Sequence, residues 1–360
     1  MATCKICGNC SNEVATALSL CAECIQDAAD VCLPQIRDIH RRSREQFGLP
    51  GSPPAGPDGV RCSLCENSCR IPAGQTGYCG IRHNDGGRLK GGTPEGAAVS
   101  WYYDPLPTNC VADWVCAEGS GTRHPGGRER GAVNLAVFYE ACTFDCLFCQ
   151  NWHYRQGSAQ DTTRSAAELA DSVTANTACI CFFGGDPTCQ LPHALAASKL
   201  AREENPLRTL RICWETNGSM DPKLLGRMMT FSLDSGGCVK FDLKAMDKAI
   251  HYALCGVDNS RTLENFTAGA ERIPERPDPP PLIASTLLVP GYVDAEEVGS
   301  IASFVAELDP EIPYALLGFH GDFLLTDLPS TSLEQAERCL EAAEAAGLKR
   351  VRLGNVHIFR

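Results

Sequence analysis

The 360-residue sequence has no run of about 18–20 uninterrupted apolar residues, the length a helix needs to cross a bilayer. No export leader is expected in it either: Cys4, Cys7, Cys10, Cys21 and Cys24, together with Lys5 and Glu23, occupy the region where a leader needs a basic start and a continuous apolar stretch. Positive charge is in deficit. The 32 Lys and Arg against 44 Asp and Glu leave a net charge of −12, so a nucleic-acid backbone would be repelled. These absences predict a cytoplasmic protein with neither a membrane nor a nucleic acid as partner. Disorder is excluded as well, because 44% of residues are hydrophobic and a packed interior is expected. The length suits one large core, or one with a smaller companion.

Cysteine is what the chain has in excess, with 22 residues. Disulfide scaffolds are short and exported, and this chain is neither. Thiolate bound to metal is the economical reading, and so many reduced thiols point to an oxygen-poor, anaerobic cell.

Character changes along the chain. Residues 1–35 are cysteine-dense and read as a zinc-ribbon-like module. Residues 36–60 read as a charged helix from Ile36 to Phe47, followed by a Pro- and Gly-rich linker. A second cysteine-cluster region fills 61–131, and its part from 80 onward reads as loops and short strands. From 132 to 360 short apolar runs alternate with amphipathic stretches. The predicted strands are Ala132–Tyr139, Cys179–Phe183, Thr209–Trp214, Cys238–Asp242, Leu282–Leu288, Tyr314–Gly318 and Arg350–Leu353. Helices are predicted over Ala166–Asn176, Leu191–Glu204, Pro222–Thr230, Glu296–Leu308 and Ser332–Ala346. Such alternation gives an α/β fold on a parallel sheet, open or curled into a barrel, with the chemistry where strands end.

The sharpest motif is Cys142, Cys146 and Cys149, a C-x3-C-x2-C spacing just after the first of these strands. A [4Fe–4S] cluster normally takes four thiolates, so three leave one iron open to bind a small molecule. Cys62, Cys65, Cys69 and Cys79 form a second group whose four thiolates would saturate either a zinc ion or a second iron–sulfur cluster. Its Gly and Pro flanks lean toward zinc. The N-terminal pairs Cys4/Cys7 and Cys21/Cys24 have the zinc-ribbon pattern, with Cys10 and Cys32 left over. The remaining cysteines, most of them within apolar strands, read as small core residues, although Cys189 stands close enough to Gly184–Pro187 to face an active site.

The triad, in this position, resembles the radical S-adenosylmethionine (SAM) superfamily. Gly184-Gly185-Asp186-Pro187 resembles its Gly-Gly-Glu-Pro motif, which meets the methionyl amino group. Glu215-Thr216-Asn217-Gly218 and Asp242-Leu243-Lys244 are similar to stretches of the pyruvate formate-lyase activating enzymes, and His320 matches a histidine near their adenosyl group. Cys149-Gln150-Asn151-Trp152, the Cys62–Arg82 run and the Leu348–Val356 ending resemble AmmeMemoRadiSam-system radical SAM enzymes from about residue 60 onward. The first 35 residues and the stretch Cys110–Arg130 depart from that family. The resemblance implies a partial (β/α)6-type barrel, to which the N-terminal cysteine spacing adds a cysteine-rich, metal-binding extension. It implies SAM contacts from Gly184, Gly185, Asp186, Glu215, Asn217, Asp242, Lys244 and His320. Glu215, Thr216 and Asp242 match a monovalent-cation site, with Glu215 in place of an Asp. His357 is a further candidate at the same end of the sheet.

The implied reaction is reductive cleavage of SAM to a 5′-deoxyadenosyl radical that takes hydrogen from a substrate, fed by flavodoxin or ferredoxin. An activase of a glycyl-radical enzyme, with a protein substrate, is one alternative. A non-catalytic iron–sulfur or zinc scaffold for electron transfer or protein binding is the other.

Overall fold

The computed structural model describes residues 1–106, 110–117, 131–156, 163–206 and 208–359. Its centre is one nine-stranded sheet. In chain order the strands are β1 (Ala97–Pro105), β2 (Val133–Tyr139), β3 (Thr163–Arg164), β4 (Thr177–Phe183), β5 (Arg211–Thr216), β6 (Val239–Asp242), β7 (Leu282–Leu288), β8 (Tyr314–Gly318) and β9 (Val351–Gly354). Across the sheet they lie in the order β3-β1-β2-β4-β5-β6-β7-β8-β9. From β2 through β9 every neighbouring pair is parallel, whereas β1 runs antiparallel to both β2 and β3. Each parallel strand thus lies beside the next one in sequence, the winding of a barrel rather than of a sheet with a switch point. The two edges β3 and β9 stay unpaired with each other among the described residues, so the barrel is partial.

The seven parallel strands are the seven predicted ones, with bounds shifted by at most two residues. Helices α3 (Ala166–Asp171), α4 (Leu191–Glu204), α5 (Pro222–Ser235), α8 (Ala295–Leu308) and α9 (Leu333–Ala345) fall where expected, α3 shorter and α5 longer. Asp221 and Ser332 start α5 and α9 by accepting backbone N–H bonds from Lys223 and Gln335, and Gly236, in the left-handed region, ends α5. Two more helices, α6 (Lys248–Cys255) and α7 (Ser260–Ala270), follow β6, and β1 stands in the stretch expected to hold loops and short strands.

Strand alternation divides the core into two faces. Ile180 and Phe182 on β4, Ile212 and Trp214 on β5, and Val239 and Phe241 on β6 pack outward with the helices. Phe182 and Trp214 stack at 4.5 Å between ring centroids. The other parity points into the barrel and carries the polar residues described below.

The N-terminal extension lies against this barrel. Helix α1 (Ala22–Asp27) begins just after Cys21 and contains Cys24, and α2 (Ala29–Glu45), which carries Cys32, runs unbroken through the divide expected at residue 35. Leu18, Leu20, Ile25, Ile36 and Ile39 share the main core. The Tyr292 hydroxyl accepts from Ala15 N–H at 3.0 Å and donates to the Leu20 carbonyl at 2.8 Å. Among the described residues no helix is long and apolar enough to cross a membrane.

Candidate functional site

The loop leaving β2 carries Cys142, Cys146 and Cys149. It is fixed from several sides. Backbone N–H groups of Asp145 and Leu147 donate to the carbonyls of Cys255 and Leu254 at the end of α6, at 2.8 and 2.9 Å. Asn67 Nδ2 donates to the Thr143 carbonyl at 2.8 Å, tying in the second cysteine region. Within the loop the Asp145 side chain is fully buried. Its carboxylate accepts from His40 Nδ1 at 2.9 Å, from Arg155 Nη1, and from Ser43 Oγ at 3.3 Å, with Arg44 3.7 Å away. Burial opposes its ionisation, but the His40 hydrogen bond and the Arg155 charge outweigh it and hold this carboxyl below its ordinary range. Sequence reasoning had no signal for this brace, since His40 and Asp145 lie 105 residues apart.

The three thiols line one cavity of about 1000 Å³, open to solvent, at the C-terminal ends of the strands. Gly184, Gly185, Asp186, Glu215, Asn217, Asp242 and Lys244 line it with them. Seven of the eight residues expected around SAM are therefore brought together with the triad. His320 is half-buried after β8 but is not part of this wall, where Leu317 stands instead, and His357 is exposed.

Gly184 and Gly185 have φ of +66° and +49°. A Cβ at Gly184 would overlap the Phe138 ring, and one at Gly185 the carbonyl oxygens of Tyr139 and Ala141. The turn thus presses its bare backbone against the root of the triad loop. Asp186 differs from expectation in what its carboxylate does. It accepts from Thr188 N–H at 2.8 Å, Asn217 N–H at 2.7 Å and Thr216 Oγ1 at 3.0 Å, and so clamps the end of β5 rather than facing a ligand. Asn217 in turn reaches the triad: its Nδ2 donates to Thr143 Oγ1 at 2.8 Å and lies 3.7 Å from Cys142 Sγ.

Lys244 pairs with Asp242 and stands 5.5 Å from the Phe148 ring centre. Burial works against its charge, but Asp242 and Cys146 more than compensate, and the ammonium is held protonated. The second carboxylate oxygen of Asp242 is buried without a hydrogen bond among the described residues. Glu215 Oε1 meets Lys240 Nζ at 2.8 Å.

Burial pushes the Cys142 thiol well above its usual range, with the nearby Asp186 adding to it. Such thiols stay protonated until a cation replaces the proton. A glycine cradle, a free carboxylate oxygen and three convergent thiols fit a cluster and a zwitterionic cofactor.

The other cysteine groups behave differently. Cys4, Cys7, Cys21 and Cys24 offer four sulfurs all within 4.8 Å of one another. Cys7 and Cys21 are 3.8 Å apart, close to the edge of about 3.8 Å that a tetrahedron with Zn–S bonds of about 2.3 Å requires. Burial raises the Cys4 thiol, but backbone hydrogen bonds from Cys7, Cys21 and Ile6 outweigh it and bring it down to about 6. Among the described residues no other His, Cys, Asp or Glu set gathers that tightly. Cys62, Cys65, Cys69 and Cys79 do not gather within that distance, and the lean toward zinc finds no support there. The Cys79 thiol instead hydrogen-bonds Cys189, which brings it down to about 6 against the effect of burial. Cys189 thus turns to Cys79 and away from the cavity.

Residues 136–305 match the sequence model of the Radical SAM superfamily. An uncharacterized protein of Methanocaldococcus jannaschii is 26% identical over 307 residues, 82% of this chain and 81% of that protein. The isethionate sulfite-lyase activating enzyme of Desulfovibrio desulfuricans is 36% identical over 138 residues, 38% of this chain and 40% of that enzyme. The pyruvate formate-lyase 1-activating enzyme of Escherichia coli is 26% identical over 141 residues, 37% of this chain and 54% of that enzyme. The chain thus spans about half the length of the activating enzymes it matches. A domain of pyruvate-formate lyase-activating enzyme from Bacteroides vulgatus has 23% identity and a TM-score of 0.39, covering 49% of this chain and 98% of that one, a likeness too slight to bear on the assignment. Residues 136–305 of this chain are thus a radical SAM domain.

Proposed function

We propose that Cys142, Cys146 and Cys149 hold a [4Fe–4S] cluster and that SAM binds beside it in the cavity they share with Gly184, Gly185, Glu215, Asn217, Asp242 and Lys244. That convergence of three thiols with a bare glycine turn and a charged pair is the observation carrying the reading. When bound, the cluster and SAM supply one-electron cleavage to a 5′-deoxyadenosyl radical, which takes hydrogen from a substrate. The chain's own residues bind and orient. The carbonyls of the Gly184–Gly185 turn suit an ammonium, and Lys244 suits a carboxylate or ribose hydroxyl. Asp186 keeps Asn217 against the triad loop, and Phe144, Phe148 and Phe183 give the walls an apolar lining. Flavodoxin or ferredoxin would supply the electron.

At the N terminus, the tight set Cys4, Cys7, Cys21 and Cys24 would hold zinc as a structural support. Cys62, Cys65, Cys69 and Cys79, spread more widely, would suit a second cluster better than zinc.

The test is electron paramagnetic resonance of the reconstituted, reduced protein. SAM should change the cluster's spectrum. An unchanged spectrum would favour a scaffold that only carries electrons or binds protein. A second reading, activation of a glycyl-radical enzyme, draws on the similarity to the isethionate sulfite-lyase activating enzyme. It requires a large protein partner, and co-purification from cell extract that returns no such partner counts against it.

A further inference from the structure

The inward face of β4, β5 and β6 below the SAM cavity is not the layer of branched apolar side chains that fills ordinary barrels. Parallel register places Cys181 beside Cys213, and Cys238, just before β6, beside Cys213 on the other side. Adjacent strands lie about 4.8 Å apart, so three thiols stand in a row across three strands. Residues 110–117 cover this row and bring Cys110 and Cys116 to it. The resulting cavity is separate from the triad, and Arg211 and Lys240 share its wall.

Four of the sulfurs fall into two pairs. Cys213 and Cys238, side by side, hydrogen-bond each other. Cys110 Sγ and Cys181 Sγ both lie 3.1 Å from Lys240 Nζ. No three of these thiols are mutually within 4.8 Å, unlike the N-terminal set, so a single tetrahedral ion does not fit them. A core that takes two thiolates at each of two metals does. Lys240, buried at 1% exposure, and Arg211 supply the positive charge that a buried, thiolate-rich and hence anionic complex needs.

We propose that Cys110, Cys181, Cys213 and Cys238 hold a two-iron iron–sulfur cluster in the barrel interior, distinct from the cluster at Cys142, Cys146 and Cys149. Each pair of thiols serves one iron, and Lys240 donates N–H···S hydrogen bonds to one pair while linking it to Glu215 on the SAM cavity wall.

The test uses the full chain with Cys142→Ala, Cys146→Ala and Cys149→Ala, reconstituted anaerobically with iron and sulfide. Iron and acid-labile sulfide, about two of each per chain beyond any lost with Cys62→Ser and Cys65→Ser, should remain with a visible charge-transfer band. Adding Cys213→Ser and Cys238→Ser should abolish both. Circular dichroism and gel filtration check that the variants fold, and Cys110→Ser, on the covering segment, serves if the double replacement does not. The proposal is overturned by a folded triad variant free of iron, by iron that survives the Cys213 and Cys238 or Cys110 replacements, by loss of all remaining iron with Cys62→Ser and Cys65→Ser, or by zinc or disulfides in its place.

Discussion

The ring of His40, on helix α2, lies 2.9 Å from the buried carboxylate of Asp145, between Cys142 and Cys146. The N-terminal extension therefore does more than cover the barrel: it holds the middle of the triad loop. Replacing His40 with Ala leaves a buried carboxylate short of one donor, at a cost of about 2–4 kcal/mol. Chemical denaturation should show that loss, and reconstituted iron content should fall with it. Unchanged stability would mean that Arg155, Arg44 and Ser43 suffice.

His251 sets an acid limit. It is buried, its Nδ1 meets the Val257 carbonyl at 2.9 Å, and its ring packs edge-on against Phe144. Burial lowers its pKa from 6.5 to about 4, with the Lys244 charge adding to the effect. The unfolded chain takes up the proton first, so this contribution is complete above about pH 6.5 and declines as pH falls toward 4. It amounts to at most roughly 3 kcal/mol. Urea titrations across that range should show a shallower pH slope for His251→Gln; an identical slope would place the acid limit elsewhere.

Gly185→Ala tests the cradle. The added methyl meets two carbonyl oxygens at a positive φ, a conformation that itself costs about 1 kcal/mol or more. SAM affinity, read by calorimetry on reconstituted protein, should drop at least tenfold while Cys142, Cys146 and Cys149 still bind iron. Undiminished affinity would exclude this turn from the cofactor site.

How much of this was readable in advance depended on range along the chain. Leu282–Leu288 and Tyr314–Gly318 were found to the residue, because buried parallel strands are short apolar runs. The bounds of strand β1, in a stretch that reads as loops and short strands, were not legible, because this nine-residue strand between glycine-rich segments gains its place by pairing with β2. The triad and the glycine turn were legible as local motifs. The Asp145 brace, the inward duty of Asp186 and the row of Cys181, Cys213 and Cys238 were not, since each depends on register or on contacts between distant segments. His320 shows the converse: a motif position at a strand end that the cavity wall does not use.

Cys7→Ser with Cys21→Ser should remove one zinc per chain and lower the thermal midpoint, because the Ala15 and Leu20 contacts to Tyr292 depend on the folded N-terminal turn. Metal analysis and calorimetry on the full chain check both effects. Zinc retained in the double variant would move it to other thiols.

SAM cleavage at the triad is tested most directly by product analysis. Anaerobically reconstituted, dithionite-reduced protein incubated with SAM should form 5′-deoxyadenosine and methionine, and Cys146→Ala should form neither and lose its four-iron spectrum. Absence of 5′-deoxyadenosine from the intact chain, or an unaltered four-iron spectrum in Cys146→Ala, would contradict it.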